Sequence, residues 1–381
     1  MKVNIQYIII GIILSINPFL ANCQFISNKV LSKSTSNYSK KSEILSIKNS
    51  IFSNGIDLTV FLPKGYSKIG DVDYTSYLQH GIDQNKLVIL PNFPVLINAK
   101  GLRLKSNSSV LFQENSKLIL KPNNEQLYGM IYIENIRNVN VYFANLEGDR
   151  YNHLTDKGEW GMGIFIRSSE NVKIYNPVIQ YMWGDGIYIG KNNNNSPKNI
   201  TISSALINEC RRNGFSLISG ENITLTNSLI TNTFGTAPEF GIDIEPNSPD
   251  EKLINIVLSN NKTYNNKGGV LFALDKLVDY RYKDSNIDIQ LNNHIDNYSG
   301  KGIEFYMNRY NRNFGKRFLG SLKIRNLQIS NSSKPFINNK GFSIGTTLSL
   351  ESILINNKKI TNDQIYRFKR SFQTGGEGLI F

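Results

Sequence analysis

The chain has 381 residues, with 43 Lys and Arg against 30 Asp and Glu, giving a formal charge of +13. That length allows two ordinary domains or one elongated repetitive one, and the surplus of positive charge favours anionic partners without naming one. The basic residues are scattered with no run of five, which argues against a nucleic-acid arm. Two cysteines and three scattered histidines argue equally against a thiolate or imidazole metal centre.

Lys2, the apolar stretch Ile8 to Leu14 and Ala21-Asn22-Cys23 before Gln24 follow the charged, apolar, small-residue order of an export signal over residues 1–23. The stretch is short for a membrane span. Cleavage after Cys23 would leave Cys210 alone and the mature chain without a disulfide, and a lipid-modified Cys23 is the rival reading. Either places the protein outside the cytoplasm: secreted, periplasmic or on the cell surface.

Residues 24–95 read as an N-terminal segment and cap. Asp73 starts a short helix whose apolar positions Tyr74, Tyr77, Leu78 and Ile82 have helical spacing. Leu87 to Leu90 and Val95 to Ile97 then read as strands. From residue 96 to about 350 the chain repeats. Segments beginning at Gly101, Met130, Gly163, Gly186, Gly214, Gly241, Gly269 and Gly302 start 29, 33, 23, 28, 27, 28 and 33 residues apart. Their second and fourth positions are apolar in every case, as a strand with one buried face requires, while the third and fifth vary and are expected to point outward. Second strands follow at Val139, Val172, Ile200, Ile223, Ile254 and Ile287, separated by Asn-rich turns. The pattern predicts an all-β fold, a right-handed parallel β-helix (β-solenoid) with a short N-terminal capping helix.

Neighbouring coils lie about 4.8 Å apart, so aligned residues form ladders along the axis. The third-position ladder runs Arg103, Tyr132, Phe165, Tyr188, Ser216, Asp243, Leu271, Glu304. Aromatics beside carboxylates suit a sugar groove, with Tyr188 and Glu304 as candidate substrate contacts. For Arg103, Lys105, Glu134 and Arg167 the favoured reading is a ladder of ion pairs.

The longest departure from the period is the segment Gly148 to Gly161, which carries Glu159 and Trp160; long loops on rigid scaffolds commonly carry binding residues. Trp183, one coil later, aligns with Trp160, so the two indoles could stack as a sugar platform or plug a turn. Asp185, between Gly184 and Gly186, is expected to expose its carboxylate, or else to make local turn bonds.

Asp243 and Glu245 project from the same side of one strand, with α-carbons about 7 Å apart. Paired carboxyls are what glycoside hydrolysis needs, one to protonate the leaving oxygen and one to attack or to activate water. Asp185 lies two coils away, about 14 Å from Asp243, and is expected to assist. Arg211 and Arg212 fall in the intervening coil, where they could bind a substrate anion or neutralise the acids.

With the capping segment Asp73 to Gln79, the motifs Gly158-Glu159-Trp160-Gly161, Trp183-Gly184-Asp185-Gly186 and Gly241-Ile242-Asp243-Ile244-Glu245 resemble the pectate-lyase-like β-helix superfamily over residues 56–350, nearest to tailspike-like depolymerases and secreted bacterial β-helix proteins. The polygalacturonase branch fits poorly. Of its Gly-Asp-Asp only the second Asp survives, at Asp185, while its Asn-Thr-Asp aspartate falls on Met162, its Gly-His-Gly histidine on Asn213, and its Arg-Ile-Lys cations on Asp243 and Glu245. The resemblance implies a polysaccharide partner and a polysaccharide-degrading enzyme. A glycoside hydrolase or depolymerase acting through Asp243, Glu245 and Asp185 is expected, with Glu159, Trp160, Trp183, Tyr188, Arg211, Arg212 and Glu304 binding a complex polysaccharide, anionic ones among the candidates. No cofactor or metal is required. The alternatives are a lyase using Arg and a Ca²⁺-bound uronate, and a non-catalytic glycan-binding or adhesive β-helix. Residues 351–381 read as a cap over the last coil, because an open solenoid edge invites aggregation.

Overall fold

The computed structural model describes residues 41–192, 195–277, 285–307, 318–338, 346–374 and 378–380. The expected export signal and Cys23 lie outside these residues. Among the described residues, no helix is long and apolar enough to cross a membrane.

Most coils contribute three strands. The first joins a ten-stranded sheet, and the second and third belong to a twenty-stranded one. One coil shows the plan: Ile187–Gly190, then Lys198–Ser203, then Leu206–Asn208. The repeat read from the sequence is the ladder of the first sheet. Leu102, Ile131, Ile164, Ile187, Phe215, Ile242, Val270 and Ile303 pair in register from coil to coil. All are almost fully buried, and removing each such side chain from water contributes about 1.5–3 kcal/mol.

The turns explain the asparagines. Asn138, Asn171, Asn199, Asn222 and Asn255 have φ of 58°, 55°, 55°, 57° and 52°, a left-handed conformation that Asn tolerates better than other side chains. Their amides bond from coil to coil, Asn171 to Asn138 at 3.0 Å, Asn199 to Asn171 at 3.1 Å, Asn222 to Asn199 at 2.9 Å and Asn255 to Asn222 at 2.9 Å. The same ladder corrects the second-strand alignment. Ile256, not Ile254, stacks on Ile223, and Ile289, not Ile287, stacks on Ile256. A slip of two residues preserves which face is buried, so the apolar pattern is blind to it; the Asn-Ile dipeptide at 255–256, matching 222–223, marks the register of that coil, whereas the one at 286–287 does not.

The solenoid is longer than expected at both ends. Pairing starts at Ile56–Asp57, which lies beside Leu87–Ile89, and the last long strand, Thr346–Ile355, pairs to Ile355. The expected helix spans Thr75–Gln84, with Asp73 Oδ1 accepting from the Thr75 amide at 3.0 Å. Its Leu78 and Ile82 are buried, while Tyr77 stays exposed. A further helix, Lys41–Ser50, was not legible in the sequence. At the far end, helix Asn362–Thr374 sets Phe368 against Phe336 and Phe305, with ring centroids 5.1 and 5.7 Å apart. Strand Gly378–Ile380 pairs antiparallel with Lys334–Asn338.

Candidate functional site

The third-position ladder points away from the core as the alternation requires, but it is not open to solvent. Tyr132, Phe165, Ser216, Asp243, Leu271 and Glu304 are all buried. Long side chains roof the column. Arg103 lies over the Tyr132 ring at 4.0 Å and Arg167 over Phe165 at 4.6 Å. Glu134 joins these two arginines, accepting from Arg103 Nη1 at 2.7 Å and Arg167 Nε at 2.6 Å, the ion-pair ladder that the sequence suggests.

Beyond this aromatic block lies a cavity of about 440 Å³, within the range of small-ligand sites. Leu127, Trp160, Met162, Phe165, Tyr188 and Ile218 supply its apolar surface. Glu159, Arg167, Arg212, Glu245 and Lys276 supply its charges. Trp160, 43% exposed, stands at the cavity wall.

Arg212 organises the floor. Its Nη1 lies 3.1 Å from Asp185 Oδ2, its Nη2 3.6 Å from Glu245 Oε2 and its Nε 3.9 Å from Glu159 Oε2. Burial opposes its charge, but Asp185, Asp243, Glu245 and Glu159 together raise its pKa. Neutralisation of the acids, one of the two roles expected for it, is what the contacts favour.

The expectation that Asp185 is exposed is corrected: its carboxyl is fully enclosed. The flanking glycines admit close packing rather than solvent. A Cβ on Gly184 would meet Glu159 O at 2.5 Å, and one on Gly186 would meet Ile207 Cγ2 at 2.5 Å. Burial pushes the Asp185 pKa up, while Arg212 and the Asn213 amide, 3.1 Å from Oδ1, pull it back.

Asp243 is likewise fully enclosed, and it does not line the cavity. Asn213 spans the gap between the two aspartates, its Nδ2 donating to Asp243 Oδ2 at 2.8 Å and to Ser216 Oγ at 3.1 Å. Among the described residues, no hydrogen-bond donor reaches Asp243 Oδ1. Burial and then the neighbouring Glu245 push the Asp243 pKa well up, against Arg212, so a proton on this carboxyl is favoured. Glu245, two residues on, opens to the cavity and meets Lys276 at 3.3 Å as well as Arg212. The expected pair is therefore split in depth, with Glu245 at the cavity wall and Asp243 behind it.

Trp160 and Trp183 do not stack. Trp183 is buried between His153, whose ring centroid is 4.1 Å away, and the Arg211 guanidinium at 3.7 Å. Arg211 is thus not beside Asp185; it donates to Gly158 O at 3.0 Å and braces the long loop. His153 Nδ1 is 2.7 Å from Asp149 Oδ2, and Tyr128 donates to Asp149 Oδ1 at 2.6 Å. This buried cluster fixes the base of the loop that carries Glu159 and Trp160. Tyr188 lines the cavity, with burial pushing its hydroxyl up to about 12. Glu304 lies outside it, bridged to Lys301 at 2.7 Å. Lys276 and Asn213 were not singled out as site residues because neither sits in a first-sheet column: Lys276 lies in the short 3-10 helix Asp275–Leu277 and Asn213 in a loop before its strand, and the period describes the geometry of neither.

Among the described residues, no group of three or more His, Cys, Asp and Glu is placed to hold a metal ion.

The family described as "Right handed beta helix region" matches residues 82–249 and 161–308. Two Bacillus subtilis (strain 168) proteins align over part of the chain. The SPbeta prophage-derived uncharacterized protein YorA is 30% identical over 162 residues, 38% of this chain and 28% of that one. The uncharacterized protein YclG is 28% identical over 180 residues, 42% and 31% of the two chains. This chain therefore spans under a third of either relative. A tailspike protein mutant of E. coli bacteriophage HK620, in complex with a pentasaccharide, superposes with a TM-score of 0.57 at 10% identity, covering 81% of this chain and 57% of that one. An exopolygalacturonase from Thermotoga maritima gives 0.50 at 12% identity, covering 80% and 92%. At such identities the likeness is one of fold. With matches that together cover more than half its length, the chain belongs to the right-handed β-helix family.

Proposed function

We propose that this protein is a glycoside hydrolase or depolymerase that cuts a polysaccharide chain laid across the Arg212 cavity. The observation that carries this reading is the placement of two carboxylates, Glu159 and Glu245, on either side of one guanidinium in an aromatic-walled cavity. Glycan-handling neighbours of the same fold, the tailspike bound to a pentasaccharide and the exopolygalacturonase, are in keeping with it.

In the reaction the glycosidic C–O bond breaks as Glu245 gives a proton to the leaving oxygen. Water attacks the anomeric carbon and yields its proton to Glu159. Asp243, enclosed behind Glu245 and pushed up by burial and by that neighbour, shares one proton with Glu245, and the proton that Glu159 takes from water returns to this pair through solvent. Asp185 does not reach the cavity and acts by holding Arg212. Trp160 takes an apolar sugar face. A lyase reading would ask Arg212 to release a proton, and the four acids that raise its pKa oppose that step.

The test is incubation with neutral and anionic polysaccharides, following reducing ends and ultraviolet absorbance. New reducing ends without an unsaturated product, lost in Glu245→Gln and Glu159→Gln, are expected. An unsaturated product would establish a lyase, and binding without new ends would establish an adhesin.

A further inference from the structure

We propose that the Arg212 cavity selects a neutral glycan segment, free of uronate carboxylates and sulfates; this rests on the reading of the same cavity as a glycan site. Its charges differ from those of the chain as a whole. The protein carries +13, so an ordinary recess in its surface would be basic. In this one each lining cation already has a carboxylate. Arg167 donates to Glu134, which also holds Arg103. Arg212 is tied to Asp185 at 3.1 Å and Lys276 to Glu245 at 3.3 Å. Glu159 adds a fourth carboxylate, its side chain 35% exposed. Among the described residues, four carboxylates therefore face four cations.

A uronate or sulfate entering this cavity must take a cation from its present partner. It would leave Asp185 with no ion pair in a fully enclosed position, or place its own charge against Glu245 and Glu159. Both outcomes are costly where water is scarce. A neutral pyranose makes neither demand. Its C–H face lies on Trp160, and its hydroxyls donate to Glu159 and Glu245 in charge-assisted hydrogen bonds.

The experiment uses the full chain and two forms of one polymer, a native uronate polysaccharide and the same polymer after carboxyl reduction, together with a panel of neutral glycans. Reducing ends measure cleavage, and affinity electrophoresis near physiological salt measures binding. Binding is counted only as retardation that Trp160→Ala removes, which sets aside attraction of polyanions to the basic surface. Preference for the neutral forms by about tenfold or more is expected. Equal treatment of the two forms, or preference for the native uronate, overturns the proposal and leaves the hydrolase reading standing. Trp160-dependent retardation by neutral glycans without new ends supports the proposal and overturns the hydrolase reading, and no such retardation or cleavage on any polymer overturns both. Glu159→Gln removes one carboxylate, so uronate retardation should rise about tenfold relative to neutral; an unchanged ratio in that variant would refute the charge argument.

Discussion

Arg212 and Asp185 form an ion pair in which the carboxyl is wholly enclosed, with Nη1 3.1 and 3.3 Å from its two oxygens. Neither partner is easily dispensed with. Replacing Arg212 by Met should leave Asp185 buried and unpaired and cost about 3–5 kcal/mol of stability. Pairing that change with Asp185→Asn should recover much of the loss. Chemical denaturation of the two single variants and the double variant measures the coupling, and strictly additive effects would show that the pair does not act as a unit.

Glu245 and Asp243 should separate by assay. Glu245→Gln is expected to lower cleavage by about 10²–10⁴-fold with little change in melting temperature. Asp243→Asn keeps the side-chain shape and removes the proton source, so it should shift the alkaline limb of the pH–rate profile. A profile identical to wild type would exclude Asp243 from proton handling.

The inward column Ile179, Ile207, Ile230, Thr263, Asp296, Ile329 contains a buried acid. Burial pushes Asp296 up to about 7, although Ser299 and Thr263 hydrogen bonds partly offset it. A carboxyl raised in the folded state favours folding fully below its unfolded value of 3.8, and that advantage is lost as pH rises towards about 7. His294, also fully buried, is pulled down to about 3 by burial, so its contribution is present above its ordinary 6.5 and lost as pH falls towards 3. Asp296→Asn should therefore remove a loss of stability between about pH 4 and 7, and His294→Gln a gain of stability as pH rises from about 3 to 6.5, each of up to a few kcal/mol. Melting curves between these limits check both, and unchanged slopes would rule out these groups.

Arg211 and His153 clamp Trp183 under the loop that bears Glu159. Arg211→Ala should speed amide exchange and proteolysis within residues 148–161 while the coils keep their protection. Uniformly faster exchange across the solenoid would contradict a local role.

Asn222 donates to Asn199 and accepts from Asn255 at a φ of 57°. Asn222→Ala loses both bonds and places a Cβ residue in the left-handed region, for a cost of about 2–3 kcal/mol. Asn222→Gly relieves the backbone part alone, so thermal melts should rank it between Ala and wild type.

The repeat was legible because the core asks for the same thing in every coil. Ile131, Ile164 and Ile187 occupy one environment, and a period-two pattern reports it. What the pattern cannot report is what lies over the other face. Asp243 was read as outward, which it is, but Asn213 and Arg212 arrive from turns of a neighbouring coil to cover it. Glycines around Asp185 suggested openness, whereas their missing Cβ atoms admit backbone from adjacent coils. Alignment of Trp160 with Trp183 placed their backbones one above the other and said nothing of the ring directions that His153 and Arg211 impose.

The strand Gly378–Ile380 runs against the direction of every rung before it in its sheet, and Lys358–Lys359 doubles back on Leu354–Ile355 in the other. A stack of parallel rungs grows like a one-dimensional crystal, each layer offering the next an identical lattice plane. A reversed layer at the growing face is a terminating fault, on which a further parallel rung finds no matching pattern of donors and acceptors.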